Sequence, residues 1–113
     1  MDYQKHGTKR PIPVLRVLRK LGEDIKDARR RRRLPMSLVA ERAGVSRVTL
    51  AKLEKGDPGI SIGILGSVLH AMDLLERLRE LADSQYDSLG RLLEEEQLPQ
   101  RIHRNKRELI NRK

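Results

Sequence analysis

The chain has 113 residues, 25 Lys and Arg against 16 Asp and Glu, a formal net charge of +9, and neither Cys nor Trp. A chain this short buries roughly 60–68% of its unfolded surface, which leaves room for one core and none for a second. Without Cys there is no disulfide framework or thiolate metal site, and His6, His70 and His103 are too far apart for a zinc motif.

No apolar run approaches the ~20 residues of a membrane span, and the N-terminus lacks the apolar stretch of a signal peptide, so a soluble, cytoplasmic protein is expected. With no nucleophile–base pairing, metal set or phosphate loop, the expectation is no catalytic residues, no metal and no cofactor. The positive charge leaves nucleic acid or an anionic membrane as partner. Its placement narrows the choice: residues 1–33 carry +8, residues 34–73 are neutral, residues 74–98 carry −4 and residues 99–113 carry +5. The surplus flanks a neutral, apolar-rich middle that can fold.

Residues 1–13 hold Gly7, Pro11 and Pro13 among basic and polar residues without hydrophobic periodicity and read as a flexible basic arm. Just after Pro13 a helix is predicted, running to about Arg33 with Leu15, Leu18, Gly22, Ile25 and Ala28 on one face. Pro35 ends it at Leu34 and opens the next helix. The arginines from Arg29 to Arg33 either complement the helix dipole in solvent or contact phosphate; wrapped around a helix, at most two or three can face one duplex.

Two short helices about a tight turn are predicted in PMSLVAERAGVSRVTLAKLEKG, residues 35–56. Leu38, Val39 and Ala40 lead to Gly44, which supplies a positive φ, and Val45, which plugs the corner. Ser46 caps the second helix and Gly56 ends it. With Leu50 and Leu53 inward, the exposed face presents Arg47, Val48, Thr49 and Lys52, while Glu54 pairs with or caps a neighbouring helix end.

These residues, from about Leu21 to Leu74 with AERAGVSRVTLAKLEKG at the centre, resemble the Xre/Cro-type helix-turn-helix domain of phage and bacterial repressors. The resemblance implies an all-α, lambda-repressor-like bundle of about five helices, with its second motif helix in the major groove of double-stranded DNA and a dimer reading a palindromic operator. It implies base reading by Arg47, Val48 and Lys52, and backbone contacts by Ser37, Arg42, Ser46, Thr49 and Ser61. Arg47 suits bidentate recognition of guanine, Lys52 reaches a guanine or a phosphate, and Val48 offers a methyl contact to thymine or is neutral. Many family members carry glutamine where this chain has Met36, so the usual phosphate clamp is missing.

Farther on, Asp57, Pro58 and Gly59 form a turn, and Ser61 caps a helix with Ile62, Leu65, Val68, Leu69 and Met72 buried. His70 is expected half-exposed. Leu74, Leu75, Leu78 and Leu81 continue as an apolar stripe, all of which one small core cannot cover, and this points to a homodimer interface. The expected organisation is an arm over residues 1–13, a helix-turn-helix domain with its dimerisation helix over 14–83, and a helical, basic extension over 84–113. Tyr86, Leu89, Leu92 and Leu93 suggest a short helix ended by Pro99, whose Glu94 to Glu96 run meets a basic partner surface or only solvent.

The segment GDPGISIGILGSVLHAMDLLERLRELAD together with LPQRI is similar to the HipB-type antitoxins. That resemblance implies a repressor of its own operon that also restrains a HipA-like serine/threonine kinase toxin. It would act in the cytoplasm, associated with the nucleoid. The tail RIHRNKRELINRK is a basic extension that adds phosphate contacts or folds on a partner; its few apolar residues make a poor membrane face. A stand-alone regulator without a toxin and a protein-interaction adaptor are the alternatives.

Overall fold

A computed structural model describes residues 10–97 of the chain. Among them are six α-helices, one 3-10 turn and no strand, in two compact units that divide between Leu78 and Arg79.

Helix α1 spans Ile12–Arg31 and opens two residues earlier than the prolines suggest. Pro11 is its N-cap and Pro13 lies in its first turn, where backbone N–H groups have no intrahelical acceptor and a proline forfeits no hydrogen bond. The expected face is the buried one: Gly22, Ile25 and Ala28 are buried, Leu15 and Leu18 half-buried. The helix stops at Arg31 because Arg33 adopts left-handed backbone (φ 54°) and the Leu34 N–H donates back to the Arg29 carbonyl at 3.1 Å.

The motif follows as α2 (Met36–Ala43) and α3 (Arg47–Glu54), then α4 (Ile62–Ala71) and a short α5 (Leu75–Arg79). Helices α2, α3 and α4 end as α1 does, on left-handed residues Gly44 (φ 69°), Gly56 (φ 81°) and Asp73 (φ 60°). In each case the next N–H reaches back five residues: Val45 to Ala40 at 2.9 Å, Asp57 to Lys52 at 3.0 Å and Leu74 to Leu69 at 2.8 Å. Four Schellman-type endings thus turn the chain sharply enough to fold five helices onto one core.

That core is Ile25 and Ala28 of α1, Val39 and Ala40 of α2, Leu50 and Leu53 of α3, and Val68, Leu69 and Met72 at the end of α4. Helix α3 packs on α1 and α2, and α2 also packs on α4. Burying each larger side chain contributes about 1.5–3 kcal/mol. At the α1–α3 crossing a Cβ on Gly22 would stand 2.6 Å from the Glu54 carbonyl oxygen, and one on Gly56 would stand 2.5 Å from the Arg19 Cα. Backbone meets backbone there, which holds the C-terminal end of α3 against α1.

One expectation about buried residues needs correction, and one stripe is shared between core and surface. Ile62 is 74% exposed, because as the first residue of α4 it borders an open apolar hollow with Leu18, Leu21, Ile60 and Leu65 instead of entering the core. The stripe after Met72 is divided: Leu74 and Leu78 pack against this core, whereas Leu75 and Leu81 remain exposed, and α5 ends at Arg79 with a turn following.

The second unit contains the 3-10 turn Ser84–Tyr86, where Asp83 accepts from the Gln85 N–H, and helix α6, Ser88–Gln97. None of its described residues is buried, and Leu89, Leu92 and Leu93 are half or more exposed. Pro99, expected to end this helix, lies outside the described residues, as do most of the basic arm and all of the basic tail.

Candidate nucleic-acid interface

The turn between α2 and α3 is built as its residues dictate. Gly44 takes the left-handed backbone, and the Gly44 N–H donates to the Glu41 carbonyl at 3.1 Å. Val45 is half-buried against the core and closes the corner. Ser46 then starts α3: its Oγ accepts the Thr49 N–H at 3.0 Å and donates its own proton to Thr49 Oγ1 at 2.9 Å. The two hydroxyls are thus within hydrogen-bond distance of each other at the start of α3, so one of their two protons is taken up between them and the other is left for an acceptor such as phosphate.

Leu50, Leu53 and Glu54 occupy the inner side of α3. At roughly 100° per residue, Val48, Lys52 and Lys55 then fall near the middle of the outer side, with Ala51 and, farthest round, Arg47 toward one edge. Arg47, Lys52 and Lys55 are exposed, and Val48 is 66% exposed. An isolated valine so open to water on a rigid helix suits contact with a base methyl. Val48 and Lys52, roughly 40° apart, thus share one outward ridge, whereas Arg47, five residues before Lys52, stands roughly 140° around the axis from it. Thr49 does not join it, being half-buried at the flank.

Glu54 pairs with Arg29, the first of the five consecutive arginines. Arg29 Nε and Nη2 donate to the two Glu54 oxygens at 2.7 and 3.0 Å, and Nη1 donates to the Leu34 carbonyl at 3.1 Å. Both residues are buried, at 8% and 7% exposure, so Arg29 neither contacts phosphate nor rests in solvent. The hydrogen bond to Glu54 holds the guanidinium proton more tightly than usual, against the opposing pull of burial. The pair clamps the end of α1, the α1–α2 turn and the end of α3 together. Among the described residues no buried side-chain nitrogen or oxygen lacks a partner.

Above this pair is a shallow groove lined by Lys26, Arg30, Met36, Ala51 and Lys55, contributed by α1, α2 and α3. Lys26 and Arg30 are one turn apart on α1, and Lys55, just past the end of α3, joins them from 25 positions beyond Arg30. Met36 stands at the start of α2, where the cap is Pro35 and no side chain satisfies the first N–H groups. The Met36 and Ser37 N–H groups, with the exposed Ser37 hydroxyl, are therefore available to an anion at that helix end despite the missing glutamine. Arg42 is exposed in the last turn of α2, five residues from Ser37 and roughly 140° around the axis. The fold does not bring those two together.

Ser61 caps α4, its Oγ accepting the Ile64 N–H at 3.1 Å. His70 is exposed near the end of the same helix. Among the described residues no group of three or more His, Asp or Glu side chains is arranged to hold a metal ion, and no helix is long and apolar enough to cross a membrane.

The helix-turn-helix family model matches residues 25–78, just under half of the chain, from the buried half of α1 to the end of the first unit. Fold and match together define the class, a DNA-binding transcription regulator built on a helix-turn-helix. Neither the curated proteins nor the solved structures contain a match to the chain.

Proposed function

We propose that the chain is a sequence-specific repressor that binds a palindromic operator as a homodimer. The observation that carries this reading is the outer ridge of α3, where Val48 and Lys52 stand outward with Arg47 exposed in the first turn, on a helix fixed by the Ser46 cap at one end and the Arg29–Glu54 pair at the other. Phosphate contacts come from the Ser37 end of α2, from Thr49 and Ser61, and from Lys26, Arg30 and Lys55. One recognition helix offers few base contacts, and pairing two copies multiplies discrimination against genomic competitors. Leu75 and Leu81, the exposed members of the leucine stripe, support a pairing surface in that region, flanked by Leu74 and Leu78.

The finer reading is an antitoxin that represses its own operon and restrains a HipA-like kinase. It is supported by the resemblance of residues 56–83 to HipB-type proteins. Selection of bound sequences from random double-stranded DNA tests the repressor reading. A palindromic consensus is expected, and Arg47→Ala should weaken binding to it by about 1–3 kcal/mol and relax preference at one position per half-site. Unchanged affinity and preference would remove Arg47 from base reading. Co-purification of a kinase-sized partner from the native host tests the antitoxin role.

A further inference from the structure

The outer side of α3 is chemically one-sided. Val48 stands at its middle and Ala51, three residues on, about 60° round from it, so the two form an apolar strip beside Lys52 and Lys55. Ala51 also lines the groove that Met36 borders from the start of α2, which extends the strip onto the neighbouring helix. Met36 and Ala51 are half-buried, and Val48 is 66% exposed. The polar groups around the strip are cations, which donate hydrogen bonds and accept none. Glu54, the one carboxylate of α3, is buried against Arg29, and the helix carries no amide side chain.

A base edge in the major groove offers acceptors, amino donors and, on thymine alone of the four bases, a methyl group. An adenine or cytosine amino group set against this strip would lose water without gaining an acceptor. Guanine O6 would need a donor where Val48 and Ala51 have none. The thymine methyl suffers neither loss, and the O4 beside it accepts from an ammonium. Val48 and Ala51 are about 4.5 Å apart along the helix axis, close to the roughly 3.4 Å rise between base pairs, so the strip matches two adjacent pairs.

From this chemistry we infer that Val48, Ala51 and Met36 determine specificity by reading the 5-methyl groups of two neighbouring thymines in each half-site. Val48 meets one methyl, Ala51 and Met36 meet the other, and Lys52 donates to an adjacent O4. The inference rests on the repressor reading and names the base that the recognition helix selects.

The test uses the full chain and the duplex selected from random DNA, with single thymines replaced by deoxyuridine, which removes the methyl and nothing else. At two adjacent positions per half-site, affinity is expected to fall about four-fold per methyl. Val48→Ala should lose the sensitivity at one position and Met36→Gln at the other, whereas Met36→Leu, which stays apolar, should keep it. Val48 is exposed and the deoxyuridine series needs no variant, so neither depends on the fold tolerating a change at Met36. Uniform affinity across the series would overturn the inference and leave the repressor reading intact, since the selected consensus stands without it. Sensitivity that persists in both Val48→Ala and Met36→Gln would assign the methyls to other residues and overturn it as well. A 5-methylcytosine–guanine pair carries the same methyl beside an amino group, so it should bind more weakly than thymine–adenine; equal affinity would overturn the choice of thymine. A selection that yields no consensus would end both readings.

Discussion

Arg29 belongs to a run of five arginines, yet the fold gives it a task the other four do not share. Its fork meets both oxygens of Glu54, a carboxylate 25 positions away, inside a small core. A buried ion pair of this kind adds little net stability over an apolar pair of equal volume, but removing one partner leaves a charge with no counter-ion. Glu54→Gln is therefore expected to destabilise the protein by about 3–5 kcal/mol, while the combined Arg29→Met and Glu54→Leu chain should lie close to the parent. Thermal or urea unfolding checks both, and a double variant as unstable as the single one would show that the pair does more than compensate its own burial. Because the Arg29 proton is held more firmly than usual, the pair's contribution is complete at every pH below the ordinary guanidinium value and fades only above it. No alkaline weakening from Arg29 is expected in the neutral range.

Among the helices, the recurrent feature is the left-handed residue that closes α1 to α4. Glycine fills two of the four positions, Gly44 and Gly56, at the two ends of the motif turn and recognition helix. Arg33 and Asp73 fill the others with a Cβ that this backbone tolerates poorly. Asp73→Gly should accordingly stabilise the protein by about 0.5–1 kcal/mol, with DNA affinity unchanged because Asp73 lies between α4 and α5, away from the α3 ridge. Denaturant titration and a binding isotherm test the two halves separately; a loss of stability would mean that the Asp73 side chain supports the turn.

The motif itself is legible in the sequence because its requirements are local. A left-handed turn needs Gly44, a cap needs Ser46, and an eight-residue helix with Leu50 and Leu53 inward has one outer face. The start of α1 is misread from sequence because Pro13 looks like a boundary, although the first turn of a helix accepts proline without loss. The cover on Leu74 and Leu78 is missed for a different reason: apolar periodicity marks a face to be buried without saying against what.

Across the protein, the placement of charge matters more than its sum. The first 33 residues hold most of the surplus, and Lys26 and Arg30 reach the same groove as Lys55. Removing one phosphate-binding cation should reduce the slope of log affinity against log salt by about 0.9. Lys55→Ala and Lys26→Ala are thus expected to flatten the slope by that amount each, while the preferred sequence stays the same. Removing residues 1–9 should flatten it further if the basic arm reaches the backbone. A change of consensus with an unchanged slope would move these lysines from phosphate positioning to base reading.

The helical class, the helix-turn-helix and the outward residues of its second helix follow from amino-acid order alone, since each depends on the backbone preferences and hydrophobic period of a few adjacent residues. Which cations are available to a ligand depends instead on how the helices pack. Packing buries Arg29 against Glu54 and brings Lys55 beside Lys26 and Arg30 of α1, because an ion pair across 25 residues and a groove across three helices depend on how α1 crosses α3. That crossing is set by the close approach of two glycine backbones, at Gly22 and Gly56, which no local pattern of charge or hydrophobicity encodes.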